Sequence, residues 1–270
     1  IPPGWTYNPS SWLQRTPMIA LAFIGFFLSR YLAAYQLRHI PTAWDPFFGN
    51  GTIRVLDSEV SKAWPISDAG LGSLSYMIEA LSGFMGDRVR WRTMPWMVLM
   101  FGILVVPLGG VSIFFIIIQP VAIGTWCTLC LVAALAMVIM IPYSLDELVA
   151  MGQFVLDAKR KGKPLWRVFW MGDAMDGGSE DKAKEFRGSY AEMIAEMIDG
   201  VTLPWTLLVS TVLGVWLMFT RLVFDTSGQM ANSDHLAGAL VVTFSVMAMA
   251  EVGRPVRFIN VVFGLWLLGA

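Results

Sequence analysis

The two cysteines of this chain, Cys127 and Cys130, stand three residues apart in an apolar stretch of sequence. We predict that they lie in the first turn of a membrane-spanning helix, where the helix dipole favours a thiolate on the first of them. Two thiols at this spacing can close a disulfide, and the chain offers no third cysteine to compete. The pair indicates electron transfer between thiols and a lipid-soluble carrier. The alternative is two small side chains buried in a span, because free cysteine is often buried and inert.

The composition is typical of an integral membrane protein. Hydrophobic residues make up 56% of the 270 residues and charged residues only 14%, whereas soluble domains carry about 25% charged residues. The net charge of −1 offers nothing to attract nucleic acid. We predict no metal site. The sequence begins at Ile1 and its last apolar segment is short, so we expect both ends to be cut from a longer product.

Seven segments approach the about 20 apolar residues that a span needs. They are residues 17–37, 66–85, 94–118, 121–142, 203–224, 235–252 and 256–270. The polar stretch 144–200 does not span. We predict in it an amphipathic surface helix at 145–156, a flexible linker at 171–181 and a second surface helix at 185–198.

Basic residues predict the orientation of these spans. Residues 88–92, residues 159–163 and the pair Arg254 and Arg257 fall on one side if the chain crosses seven times. That side should be cytoplasmic. The opposite side then carries the loop 40–65, the cysteine pair and residues 225–234. We therefore expect a multi-pass protein of the bacterial inner membrane with the cysteines near the periplasmic face, where a disulfide can persist.

The C-terminal part contains a short internal repeat. Residues 212–217 (VLGVWL) recur as residues 262–267 (VFGLWL), and a proline precedes each copy, Pro204 and Pro255. Gly and Trp two residues apart favour close helix packing and an aromatic side chain at the membrane interface. The repeat predicts duplicated packing units rather than chemistry.

Two parts of the chain resemble known families. Residues 8–148 resemble the bacterial vitamin K epoxide reductase family through a series of short matches in a fixed order: PSSW at 9–12, Ser29, Tyr31-Leu32, Tyr35-Gln36, Val55-Leu56, Ser58, Pro65, Leu71-Gly72, Tyr76 and WCTLC at 126–130. Residues 203–270 resemble the SPW-repeat membrane family. Its Ser-Pro-Trp signature stands here as Leu203-Pro204-Trp205, and residues 234–236 and Gly214-x-Trp216 also fit.

The first resemblance implies a four-helix bundle around a quinone. It implies that Cys130 faces the quinone and that Cys127 is the thiol that exchanges with a shuttle, and it makes a thioredoxin-like protein a candidate thiol partner. We predict cofactor contacts for Ser58, Tyr76 and Trp126. Ser58 can instead cap a short helix, and Trp126 can serve as an interface anchor that shields the site.

The sequence departs from that family at several positions. The family carries a second cysteine pair in the extracytoplasmic loop, but here Thr52 stands at one position and Trp44 or Asp45 near the other. Ala134 replaces a tyrosine that some members place four residues after the second cysteine. Further polar candidates in or near the spans have structural roles as their simplest interpretation: Asp68, Glu79, His39 and His235.

We therefore predict an all-α integral membrane protein with a four-helix bundle at residues 1–148, a cytoplasmic segment at 149–200 and about three further spans at 201–270. One predicted function is a thiol–disulfide oxidoreductase that couples the cysteine pair to quinone. The other is a non-catalytic subunit that helps to assemble a larger respiratory or photosynthetic membrane complex. The lipid bilayer is an expected partner in either case.

Overall fold

The computed structural model describes residues 1–63 and 65–269, and within them helices and connecting loops form but no strand. The α-helices of this part of the chain are α1 (Trp12–Gln36), α2 (Gly51–Leu56), α3 (Glu59–Lys62), α4 (Asp68–Phe84), α5 (Arg90–Thr93), α6 (Pro95–Ile118), α7 (Thr128–Arg160), α8 (Leu165–Met171), α9 (Tyr190–Ile198), α10 (Trp205–Val223), α11 (Gln229–Met247) and α12 (Ile259–Gly269). Shorter helical turns lie at Gln119–Ile123, Glu185–Arg187 and Arg254–Phe258.

Helices α1, α4, α6 and α7 pack as a bundle, which confirms the predicted all-helical membrane fold. Their shared core consists of buried side chains, mostly alanine, methionine, branched aliphatic and aromatic: Met18, Ala22, Tyr76, Ala80, Phe101, Val105, Ala133, Met137, Met140 and Ile141. Gly25 of α1 lies directly against the ring of Tyr76 of α4, and a Cβ there would overlap that ring. The missing side chain lets the two helices approach closely.

Four helices of the described residues are long and apolar enough to cross a membrane: Trp12–Gln36, Pro95–Ile123, Thr128–Arg160 and Trp205–Val223. The chain is therefore a multi-pass membrane protein. Among the other predicted spans, α4 has 17 residues and α12 has 11. Helix α11 has 19 residues but begins with a polar turn. The predicted last span ends at Ala270, and the predicted loop 40–65 includes Trp64; both residues lie outside the described residues.

The boundary between the third and fourth predicted spans differs from expectation. Residues 121–123 extend α6 as a wide π-type turn, the chain reverses at Gly124 with φ 74°, and α7 begins only at Thr128. Pro120 explains the wide turn, because it has no N–H to donate to the carbonyl four residues earlier. The left-handed conformation at Gly124 costs a glycine little.

The predicted surface helix at 145–156 is the second half of α7. This helix runs without interruption for 33 residues, or about 50 Å, whereas the hydrocarbon core of a bilayer is ~30 Å thick. The polar half therefore extends out of the membrane. The second predicted surface helix forms only in part, as a short turn at Glu185–Arg187 followed by α9.

The C-terminal pair α10 and α11 packs through two glycines. A Cβ on Gly214 would lie 2.9 Å from the carbonyl oxygen of Gly238, and a Cβ on Gly238 would overlap Gly214 in return. The repeated sequence does not repeat this contact, because a Cβ on Gly264 of α12 would meet no atom of the described residues within 4 Å. Within the described residues the two copies of the repeat therefore share their sequence but do not pack in the same way, unlike the predicted duplicated packing units.

A buried ion pair fixes the polar end of the bundle. The guanidinium of Arg90 donates two hydrogen bonds of 2.6 Å to the carboxylate of Glu147, and both side chains are almost wholly buried. Ser10 donates to the same carboxylate. One of the predicted topology-setting arginines is thus an internal structural residue.

Breaking this pair from one side should destabilise the protein strongly. Arg90→Met and Glu147→Leu should each lower the free energy of unfolding by about 3–5 kcal/mol, since a buried charge is left alone, and the double variant should lose less than either. Asp157→Asn, which breaks the surface pair with Lys161, should cost less than ~1 kcal/mol. Unfolding in mixed detergent micelles measures all four. Equal losses at the buried and surface pairs would contradict this account.

Candidate functional site

The cysteine pair lies where the sequence predicts, at the start of a membrane-spanning helix. Cys127 is the residue before the first turn of α7, Cys130 lies within that turn, and the two are joined by a disulfide with a Cα–Cα distance of 5.2 Å. The backbone N–H of Cys130 points at the sulfur of Cys127 at 3.1 Å. The free N–H groups of this turn would stabilise negative charge on Cys127 once the disulfide opens.

The two sulfurs face different surroundings. Cys127 is completely buried, and Ala43, Val55 and Leu56 of the preceding loop pack around it. We call residues 43–56, including α2, the cover loop. Cys130 is only half-buried and faces a cavity within the helix bundle. A disulfide with one sulfur under a loop and the other on a cavity can connect two separate reaction partners.

The carboxylate of Asp45 holds the cover loop on the start of α7. One oxygen accepts the backbone N–H groups of Phe47 at 3.1 Å and Phe48 at 2.9 Å, together with the hydroxyl of Thr128. The other accepts the N–H of Thr52 at 3.1 Å, its hydroxyl at 2.7 Å and the N–H of Thr128 at 3.1 Å. Four backbone N–H groups and two hydroxyl groups therefore donate to this one carboxylate.

These contacts keep Asp45 ionised. Burial by itself would raise the pKa of the Asp45 carboxyl, but hydrogen bonds from Thr128, Phe48 and Thr52 outweigh burial and hold the pKa well below its usual range. In the sequence, Asp45 stands out only as a residue near one of the family's loop-cysteine positions. An acidic residue that precedes a Pro and a Gly, as in DPFFG at 45–49, is a turn signal that pointed to such a hydrogen-bonding role.

Thr52 occupies the place beside the disulfide. Its hydroxyl oxygen lies 3.5 Å from the sulfur of Cys127, and the residue is fully buried. Asp45 accepts the hydroxyl proton at the shorter distance of 2.7 Å, so Thr52 turns an oxygen lone pair toward the sulfur. The next residue back, Gly51, packs against the carbonyl of Trp126, where a Cβ would overlap it. The cover loop therefore contacts both Cys127 and the residue before it.

The Cys130 cavity has a volume of about 390 Å³ and lies among α1, α4, α6 and α7. Its wall is largely apolar, with a few polar side chains: Ser29, Leu32, Val55, Leu56, Asp68, Ala69, Leu71, Gly72, Tyr76, Leu108, Val111, Ser112, Phe114, Phe115, Ile116, Gln119, Cys130, Ala133 and Ala134. The volume lies within the range of about 300–1,000 Å³ typical of small-molecule sites. An apolar wall with a few polar groups fits a planar quinone ring.

The structure brings only one of the three predicted cofactor residues to this cavity. Tyr76 lines it with its ring, while its hydroxyl donates to the carbonyl of Ala133 at 2.6 Å. Ser58 caps α3 by accepting the N–H of Ser61 and does not line the cavity. Trp126 packs on Phe48 and on helices α10 and α11, also outside the cavity wall. Cofactor contact by these residues stays a prediction.

Gln119 is a polar residue of the site that sequence analysis missed. It is buried in the wide turn after α6, lines the cavity, and accepts the backbone N–H of Cys127 at 2.9 Å through its Oε1. It is thus a direct link between the cavity and the cysteine pair. The only sequence signal was an amide side chain next to Pro120 inside an apolar segment.

The remaining polar candidates do not converge on the cysteines. Asp68 lines the cavity, but its carboxylate is bound by Gln36 and by Ser61. Glu79 is buried with neither oxygen hydrogen-bonded in the described chain, and it lies outside the cavity wall. His39 is exposed. Among the described residues no group of three metal-binding side chains comes together.

Comparison with known proteins identifies the bundle. Residues 16–145 match the model of the Vitamin K epoxide reductase family, which covers just under half of the chain. No curated protein and no solved structure matches the chain. The resemblance of residues 203–270 to the SPW-repeat family therefore stays a prediction. The matched segment runs from α1 into α7 and includes the cover loop, the cavity and both cysteines, so the similarity to this family lies in the helix bundle with the cysteine pair.

Proposed function

We propose that this protein is a membrane thiol–disulfide oxidoreductase that transfers electrons from a thiol partner to quinone. One observation carries the proposal: the disulfide separates a buried sulfur under the cover loop from a sulfur that faces an apolar cavity. Cys127 and Cys130 are the reacting residues. A quinone held in the cavity would supply a two-electron, two-proton acceptor.

The exchange steps follow from the positions of the sulfurs. A partner thiolate attacks the sulfur of Cys127, the Cys127–Cys130 bond breaks, and Cys130 leaves as a thiolate beside the cavity. A second thiol of the partner then attacks the mixed disulfide, which releases Cys127 and oxidises the partner. With a quinone in the cavity as acceptor, the reduced pair would give up two electrons and two protons and close again as a disulfide. We propose a thioredoxin-like protein as the partner, because the exchange uses two thiols of one reductant.

The cavity wall favours quinone over an epoxide as the electron acceptor. Ala134 lines the cavity with a methyl group at the position where some family members carry a tyrosine. That position therefore offers no hydroxyl to protonate an epoxide oxygen, and losing such a proton donor costs about 10²–10⁴ in rate. We propose that the polar atoms of Gln119 and Ser29 orient a quinone instead.

We also propose that the cover loop faces the outside of the bacterial inner membrane. The contacts at the opposite end support this orientation: Arg88 pairs with Asp181, and the backbone of Val252, beside Arg254, donates to Asp146 of α7. Arg90 pairs with Glu147, the residue after Asp146, so the basic segment 88–92 and the segment with Arg254 share one end of the molecule. The positive-inside rule assigns this end to the cytoplasm. Labelling from the outside of a single cysteine placed at Arg257 would contradict the orientation.

The alternative of a non-catalytic subunit is favoured by the burial of Cys127. No partner thiol reaches this sulfur while the cover loop is closed, and the chain carries no further cysteine to relay electrons. Catalysis therefore requires the cover loop to open. The two functions differ in whether a dithiol drives quinone reduction and in whether loosening the loop speeds it.

Purified protein in detergent should reduce a short-chain quinone when dithiothreitol is supplied. Cys127→Ser and Cys130→Ser should each lower the rate at least ~100-fold, because each removes one half of the exchanging pair. Ser75→Ala, on the exposed side of α4, is the matched control and should leave the rate unchanged. Loss of quinone absorbance follows the reaction. A wild-type rate no higher than that of the two cysteine variants would favour the non-catalytic function.

Loosening the cover loop should speed the first step. Asp45→Asn removes the charge that binds six donors, and a hydrogen bond to a charged group contributes ~1.5–3 kcal/mol, so the disulfide should be reduced by dithiothreitol about tenfold faster. Asp57→Asn is the matched control: Asp57 directly follows the cover loop, and its carboxylate binds the hydroxyl of Tyr35 rather than α7. Alkylation of the released thiols, followed by mass spectrometry, gives the rates. An unchanged rate in Asp45→Asn would show that this contact does not limit access to Cys127.

A further inference from the structure

The C-terminal helix pair contacts the wide turn that follows α6. Pro120 has no N–H, so the carbonyl of Ile116 lacks the backbone donor that a regular helix would supply. The ring of His235 of α11 is fully buried against this place, with Nε2 3.1 Å from the Ile116 oxygen and Nδ1 3.0 Å from the oxygen of Met218. A neutral imidazole carries one N–H, and in the tautomer with this proton on Nε2 the ring takes the place of the missing donor.

A second contact holds the same turn. The guanidinium of Arg221 of α10 donates to the carbonyl of Pro120 at 2.6 Å and to the side-chain oxygen of Asn232 at 3.2 Å. Arg221 thus binds α11 and the turn together. Two side chains from a segment outside the matched family domain hold two carbonyls of that domain, four residues apart.

This turn is directly connected to the cysteine pair. Gln119 lies between the two held carbonyls, and its side chain accepts the N–H of Cys127 while lining the Cys130 cavity. Trp126, the residue before Cys127, packs on Phe219 of α10 with ring centroids 5.9 Å apart and on His235 at 6.0 Å. Helices α10 and α11 therefore contact the segment that precedes Cys127 at both of its ends, at Pro120 and at Trp126.

We propose that His235 and Arg221 are positioning residues of the redox site. They hold the turn so that Gln119 keeps both its bond to Cys127 and its place on the cavity wall. The C-terminal helix pair then serves as a working part of the oxidoreductase rather than as a separate unit. The effect on quinone rests on the proposed function; the effect on the disulfide does not.

Two measurements separate positioning from general stability. The first is the fraction of disulfide at equilibrium in dithiothreitol redox buffers, which needs no quinone. The second is KM and kcat for a short-chain quinone, expressed per folded protein. Losing a hydrogen bond that fixes Gln119 costs ~1 kcal/mol, so Arg221→Met and His235→Phe should each shift the disulfide equilibrium about fivefold and raise KM by a similar factor. Purely structural residues would lower the folded fraction and leave both quantities unchanged.

Conservative variants and a charge control complete the test. Arg221→Lys and His235→Gln keep an N–H donor and should stay within about twofold of the wild type. Arg257→Met removes a basic residue that stacks on Phe258 of its own segment and should change nothing. If Arg221→Met or His235→Phe fails to fold, Asn232→Leu replaces it. This variant removes one of the two hydrogen bonds of Arg221 and should give a smaller shift in the same direction.

The proposal would be overturned if every folded variant among these three kept the disulfide equilibrium and the KM of the wild type. A wild-type protein that reduces no quinone, but whose disulfide equilibrium shifts in these variants, would overturn the proposed function alone.

Discussion

Six hydrogen bonds to the carboxylate of Asp45 determine where the two sulfurs of this protein face. They join two parts of the cover loop, Phe47–Phe48 and Thr52, to the start of α7, and they bring the hydroxyl of Thr52 against Cys127. A buried carboxylate is tolerated here because backbone and hydroxyl donors replace the water it loses. With the loop held in this way, one sulfur is enclosed and the other stays on the cavity.

The same requirement for satisfied polar groups explains the other end of the bundle. Arg15 is fully buried in α1, and its guanidinium donates to the carbonyls of Gly83, Met85, Gly86 and Asp87, where α4 ends without further backbone donors. Arg90 and Glu147 neutralise each other nearby. Between these two polar ends the helices pack mainly through apolar side chains, together with a hydrogen bond from Tyr76 of α4 to Ala133 of α7. The cavity beside Cys130 lies within this packed bundle.

Much of this architecture follows from the sequence, but the polar detail of the site does not. Long apolar segments and the order of short motifs predict the bundle, and the C-x-x-C spacing predicts the helix start at Cys127. Asp45 and Gln119 were missed because each acts through contacts with residues far along the chain. Ser58 accepts a backbone N–H of the short helix α3, which is the capping role that a serine directly before a helix commonly has. The long α7 was predicted as two elements because a bilayer-sized window ends near Pro142, whereas the helix continues into the polar region.

The central claim is that the cavity beside Cys130 holds the quinone, and photolabelling tests it most directly. A second apolar cavity, of about 330 Å³, lies on the other side of α7 and is lined by Val215 of α10 and Val242 of α11. Helix α4 lines only the Cys130 cavity, through Leu71, Gly72 and Tyr76. A photoreactive short-chain quinone should therefore label peptides of α4, and unlabelled quinone should compete for this labelling. Competed labelling confined to α10 and α11, or no competed labelling at all, would contradict the account.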